Sequence, residues 1–163
     1  MASDPVDTIL AQWQRERPDL DVSPMGIIGR MTRLAKHLER AIAQTFSEFG
    51  LTVGEFDVLA TLRRSGQPYQ LSPTALFNAL MVTSGTMTHR IDQLERREFV
   101  RRIPDPSDRR GTLIELTEQG FTMIEKAVEA HVINEHRILS SLEASERERL
   151  TQILRKLLIS FEN

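Results

Sequence analysis

The chain has 163 residues, 40% hydrophobic and 27% charged, with a formal net charge of −2 and no cysteine. That is the size of one domain, or of a compact domain with helical extensions, in a soluble globular class. Disulfides, thiolate metal sites and thiol redox sensing are excluded, and the near-neutral balance argues against a generally basic nucleic-acid coat. No apolar run approaches the ~18 residues of a membrane span. The opening "MASDPVDTILAQWQRERPDLD" lacks a basic and apolar signal region, so a cytoplasmic protein is expected.

The first predicted element is a short amphipathic helix over about Val6–Arg17, with Ile9, Leu10 and Trp13 at helical spacing. Pro18 and Pro24 bracket a break, so residues 1–23 read as an N-terminal extension. A long helix follows over about 24–49. Ile27, Ile28, Met31, Leu34, Ala35, Leu38, Ile42 and Phe46 form one stripe, and Gly50 is the terminator. Thr52 with Glu55 reads as a capping box. The helix it starts buries Phe56, Leu59, Ala60 and Leu62 and closes at Gly66. A short extended piece precedes Ser72 as N-cap and Pro73 at the first helical position of a brief helix ending near Leu80.

The next helix, "TSGTMTHRIDQLERRE", is capped by Thr83 or Ser84 and runs to about Arg97, with Met87, Ile91 and Leu94 inward. Then the period changes. "FVRRI" and "TLIEL" flank "PDPSDRRG" and read as a β-hairpin with a long loop. Thr117 caps a second long helix with Phe121, Ile124, Val128, Val132, Ile138 or Leu139, and Leu142 on its apolar face. Ser145 with Glu148 caps the last one, whose buried side is Leu150, Ile153, Leu154, Leu157, Leu158 and Phe161.

A short helix, a turn and a second helix make a helix-turn-helix, and the hairpin after it is a wing. The fold class is therefore mostly α (α+β), a winged helix-turn-helix over about 50–116 flanked by long helices. Those helices carry more apolar surface than the central module covers, so association into a homodimer is expected.

The second helix of the motif presents Thr83, Ser84, Thr86, Thr88, His89 and Arg90 within two turns. Small hydroxyls and Gly85 let a helix N-terminus come close to DNA and bond phosphates and base edges. Residues 85–111 hold seven arginines against five acids, a local excess on a near-neutral chain. In the hairpin, Pro104 and Pro106 stiffen the strand exit. Asp108 is expected to hold one of Arg109 and Arg110 while the other projects, and an arginine suits a narrow minor groove. The alternative is a solvated loop, whose exposed ion pairs would add only ~0–1 kcal/mol.

His131 and Glu135 at i, i+4, beside His136, lack the three or four convergent ligands of a zinc site. No metal or cofactor is expected. None of the nucleophile-elbow, P-loop, dinucleotide or zinc-protease motifs is present, so no enzyme is expected. A helical adaptor that uses the winged domain for protein partners is the alternative to a DNA-binding regulator.

"LERREFVRRIPDPSDRRGTLIELTEQG" resembles the MarR family of bacterial transcription regulators. Leu94, Glu95, Phe99, Val100, Asp105, Pro106, Asp108, Arg109, Arg110, Leu116, Thr117 and Gly120 fill the family pattern, and the resemblance covers about residues 24–160. Glu98 departs from it, standing where the family usually has a helix-ending glycine. A non-Gly residue at positive φ there would cost stability.

The resemblance implies a winged-helix homodimer on double-stranded DNA, usually a repressor, with helices of about 24–49 and 117–162 at the dimer interface. It implies groove or phosphate contacts from Ser84, Thr86, Thr88, His89 and Arg90. In the minor groove it implies Arg109 or Arg110, Arg110 being favoured, with Asp108 as holder. A small aromatic or anionic effector often releases such proteins. Trp13, Asp57, Arg90 and Arg102 resemble the ligand set of the urate-responsive branch.

Overall fold

The structure is a computed structural model that describes residues 3–80 and 83–162, apart from the Ser84 side chain. The chain divides into two compact units, residues 1–41 and 42–163.

In the first unit, α1 (Pro5–Glu16) starts at Asp4, whose carboxylate accepts the N–H groups of Val6 and Asp7 at 2.7 and 3.2 Å. The Asp7 carboxylate returns the bond to the Asp4 N–H at 2.9 Å. This is a reciprocal capping box built from two aspartates. Arg30, on α2 (Ser23–Ser47), donates to Asp4 at 2.7 Å and Asp7 at 2.6 Å, so one guanidinium ties α2 to the start of α1. Ile27, Ile28, Met31 and Leu34 remain exposed on α2.

The second unit holds the end of α2 and then α3 (Val53–Arg64), β1 (Gln70–Leu71), α4 (Pro73–Leu80) and α5 (Ser84–Arg96). These are followed by β2 (Val100–Asp105), β3 (Asp108–Leu116), α6 (Glu118–Ile138) and α7 (Ala144–Glu162). The local signals for these starts lie where expected. Thr52 and Glu55 exchange bonds of 3.2 and 2.8 Å, and the Ala75 N–H donates to Ser72 Oγ at 3.1 Å. Thr83, not Ser84, is the N-cap of α5. The last helix starts one residue before Ser145: the Glu143 N–H donates to the Glu146 carboxylate at 2.8 Å, which displaces the expected Ser145/Glu148 cap.

The sheet is antiparallel with order β1-β3-β2. Val58, Leu59, Leu62, Leu76, Ile91 and Leu94 pack on its inner residues Val100 and Ile114, with Ile124 of α6 behind. Burying such aliphatic side chains stabilises by ~1.5–3 kcal/mol each. No residue of α7 is buried; Leu150, Ile153, Leu154, Leu157, Leu158 and Phe161 are 37% to 81% exposed. Their expected buried side is therefore uncovered in the single chain. No helix among the described residues is long and apolar enough to cross a membrane.

The end of α5 is a Schellman motif. The Phe99 N–H donates to the Leu94 carbonyl at 3.0 Å and the Glu98 N–H to the Glu95 carbonyl at 2.9 Å. Glu98 takes the left-handed position of that motif, with φ 58°. Its carbonyl accepts the Thr117 hydroxyl at 2.6 Å, while Thr117 Oγ1 also accepts the Gly120 N–H at 3.0 Å and so caps α6. Gly120 stands so close to this junction that a Cβ there would overlap the Phe99 carbonyl.

Two substitutions test this junction by urea denaturation. Glu98→Gly should stabilise by about 1 kcal/mol, because glycine holds a left-handed φ without Cβ strain. Gly120→Ala should destabilise by about 3 kcal/mol through overpacking against backbone. An unchanged midpoint for both would mean that the junction is neither strained nor tight.

Candidate nucleic-acid interface

The first two turns of α5 face solvent on one side and core on the other. Met87, Ile91 and Leu94 are 0–2% exposed and anchor it. Thr83, Gly85, Thr86, Thr88 and His89 lie on the exposed side. Thr83 Oγ1 accepts the Thr86 N–H at 3.3 Å and lies 2.8 Å from the Thr86 hydroxyl. That cap orders the helix start, where unpaired backbone N–H groups and the positive end of the helix dipole favour an anion. Ser84 opens the helix, but its side chain lies outside the described part.

Arg90 is placed differently from its neighbours. It is half-buried, and its guanidinium lies over Gly54 of α3, where any Cβ would collide with Nε and Cζ. Its Nη1 is buried without a hydrogen-bond partner among the described residues. Unlike the exposed Thr86 and His89, Arg90 follows an inward path that a glycine on α3 opens.

Asp57, half-buried one turn after Gly54 on α3, lies within the field of the Arg90 guanidinium. Burial holds its carboxyl above the usual carboxylate range, against the opposing pull of the Arg90, Arg64 and His131 charges. His131 of α6 lies against Phe46 and Phe56, with ring centroids 5.1 and 5.2 Å away, and its Nδ1 is also buried without a partner among the described residues. Asp57 and Arg90 of the expected ligand set thus come together. Trp13 belongs to the other unit, on α1, and is 41% exposed. Arg102 does not join Asp57, because its guanidinium bonds Asp92 at 2.5 Å and also Glu95. The cation the sequence reading missed is Arg64. Its signal was available: Asp57 and Arg64 are i, i+7 on α3, two turns apart on one face.

The wing is more compact than the expected long loop. β2 and β3 run to Asp105 and Asp108, leaving Pro106 and Ser107 as the turn. Asp105 Oδ1 accepts the Ser107 N–H at 2.8 Å and its hydroxyl at 2.6 Å. Pairing then jumps from Pro104↔Thr112 to Asp105↔Asp108, so Arg109, Arg110 and Gly111 bulge out of the ladder. A Cβ on Gly111 would stand 2.8 Å from that of Asp105 and 3.1 Å from that of Asp108, and Arg109 and Arg110 are exposed. A bulge re-aims side chains and terminates pairing. Asp108 does not hold a guanidinium as expected; its Oδ1 accepts the backbone N–H of Arg110 at 3.0 Å. The turn geometry brings that amide closer than either flexible guanidinium.

An anchored helix presenting hydroxyls, beside a hairpin tipped with two exposed arginines, defines a winged helix-turn-helix DNA-binding protein. Comparison with known proteins agrees. The MarR family model matches residues 51–112. The transcriptional regulator PecS of Dickeya dadantii is 46% identical over 91% of this chain and 90% of its own. The transcriptional repressor NicR of Pseudomonas putida is 32% identical over 88% and 92%. Among solved structures, a mutant of E. coli MarR complexed with operator DNA superposes with a TM-score of 0.69 at 26% identity, covering 96% of this chain and 99% of that one. AbsC of Streptomyces coelicolor has the same fold, with a TM-score of 0.78 at 23% identity over 88% and 97%. The chain belongs to the MarR family and is a DNA-binding transcriptional regulator.

Asp57 gives a pH test. Its folded-state pKa is raised, so the folded protein keeps this proton at a pH where the unfolded chain has lost it. Stability from this group is therefore greatest in acid and falls as pH rises from the ordinary carboxylate value to the folded one. Asp57→Asn should remove that fall. Urea midpoints measured between about pH 3 and pH 7 should show wild type losing ground to the variant as pH rises. A constant difference would contradict the buried placement.

Proposed function

We propose that the protein represses transcription as a homodimer on a palindromic operator, with the first turns of α5 in the major groove and the wing in the minor groove. The observation that carries this reading is the pairing of an exposed, hydroxyl-rich start of α5 with the bulged arginines of the wing. Thr86, Thr88 and His89 are the groove contacts of α5, with Ser84 added by the resemblance. Arg109 and Arg110 are the wing contacts, and Asp108 shapes the bulge that presents them. Dimerisation is supported by the uncovered face of α7 and, separately, by the exposed α2 side chains Ile27, Ile28, Met31 and Leu34. A contiguous apolar surface of this kind marks an interaction site. Two-fold symmetry then sets half-sites about one helical turn, ~10 bp, apart.

Gel shift on the DNA upstream of its own gene tests this. Binding should need the palindrome and weaken steeply with salt. Arg110→Ala should cost about 1–3 kcal/mol of operator affinity, tenfold or more, and Arg109→Ala less. Equal small losses from both would restore the solvated-loop reading. Absence of any salt-sensitive DNA binding, with binding to a protein partner retained, would favour the adaptor.

The effector reading rests on half-buried Asp57 and Arg90, with the exposed Arg64 charge near them. A carboxylate and two guanidinium groups can bond a planar ring bearing N–H donors and an anionic edge. Arg90 belongs to α5, so a ligand that engages it acts directly on the helix that reads DNA. Trp13 enters this set only through resemblance to the urate-responsive branch. A solved relative, BpsR of Bordetella bronchiseptica, is described by the regulation of its DNA binding by 6-hydroxynicotinic acid. Urate, 6-hydroxynicotinate and salicylate are the compounds to test by thermal shift. One of them should raise the melting temperature of wild type and not of Arg90→Ala or Asp57→Asn. The same shift in all three proteins would place the effector elsewhere.

A further inference from the structure

Arg102 is held by contacts outside the Asp57 group. It lies on β2, paired in register with Ile114 of β3. Its backbone N–H donates to Glu95 Oε1 at 3.1 Å. One terminal guanidinium nitrogen bonds the other oxygen of Glu95, and the second bonds Asp92 Oδ1 at 2.5 Å. Asp92 and Glu95 are i, i+3 on α5 and therefore share a face. A single residue at the base of the wing thus grips two successive points on the helix that reads DNA.

The Schellman turn and Thr117 fix only the C-terminal end of α5. Met87, Ile91 and Leu94 seat its inner face on the core, through apolar contacts that are non-directional and set no angle to the wing. The bond to Asp92 adds a second point, one turn earlier, and the bond from the Arg102 main chain references both points to the hairpin. The three side chains are 34% to 40% exposed. Ion pairs so exposed contribute little to stability, so the consequence of this one is geometric.

We propose that Arg102 is a positioning residue for operator recognition: by clamping Asp92 and Glu95 it fixes the angle between α5 and the wing, so that both arms can engage one half-site together. This rests on the winged-helix docking proposed above. Its effect falls on discrimination between operator and other DNA, since phosphate contacts alone do not need the two arms in register.

The test is fluorescence anisotropy of the full-length protein on operator DNA and on a scrambled duplex of equal length, over a range of salt. The readout is the ratio of the two affinities, because loss of two carboxylates strengthens binding to any DNA. Arg102→Ala should lower the ratio about tenfold, leave affinity for the scrambled duplex within about twofold and leave the salt slope unchanged. Asp92→Asn/Glu95→Gln, which keeps Arg102, should lower the ratio equally, and the triple variant should be no worse than either. The double variant decides the matter if Arg102→Ala does not fold. An unchanged ratio in the double variant overturns the proposal. So does an unchanged ratio in Arg102→Ala with a salt slope reduced by about one, the mark of a direct phosphate contact. Failure of wild type to prefer any operator would strike the docking scheme itself and not the clamp.

Discussion

Four elements meet at one hydrogen-bonded junction, and the geometry of the DNA-reading module depends on it. The carbonyl of Glu98, at the turn that ends α5, accepts the Thr117 hydroxyl that caps α6. The Thr117 N–H in turn donates to the Phe99 carbonyl, just before β2. β3 ends at Leu116, which pairs with Val100. Helix end, both wing strands and the next helix start are thus fixed within a few residues, and Gly120 admits the Phe99 backbone where no other side chain fits. The direction in which α5 leaves the module and the direction in which the wing leaves it are set at the same place.

That economy explains why the family pattern clusters where it does. Leu94, Phe99, Val100, Leu116, Thr117 and Gly120 are the parts of the junction, and the arginines are what it aims. Glu98 is the exception within it. The chain accepts a strained residue at φ 58° because the two bonds of the Schellman turn and the Thr117 hydroxyl over-determine the position.

Most of the fold was legible in the sequence, since its strongest signals are local. Thr52 with Glu55, Ser72 with Pro73, and Thr117 each act within four residues, and each marks a helix start. The start of α1 was less legible, for its capping box uses two aspartates and owes part of its order to Arg30, more than twenty positions away. The wing was read as a hairpin but not as a bulge, because register jumps depend on how two strands pair and not on either alone. The inward turn of Arg90 depends on Gly54, a residue on another helix whose only property is the absence of a side chain. Arg64 was readable from its spacing to Asp57, whereas the diversion of Arg102 to Asp92 and Glu95 required the strand and helix to be placed together. The apolar stripe of α7 was read correctly as a stripe, but a single chain offers nothing to cover it.

The central claim is that helix and wing read DNA together, once in each half of a symmetric site. Hydroxyl-radical footprinting on the bound operator, paired with dimethyl sulfate protection of guanine N7, tests it most directly, because the first probe reports the minor groove and the second the major groove. The account predicts two-fold symmetric protection, with a minor-groove patch beside each major-groove contact and about one helical turn between equivalent points. Protection on one side only, or major-groove contacts with no minor-groove protection beside them, would contradict it.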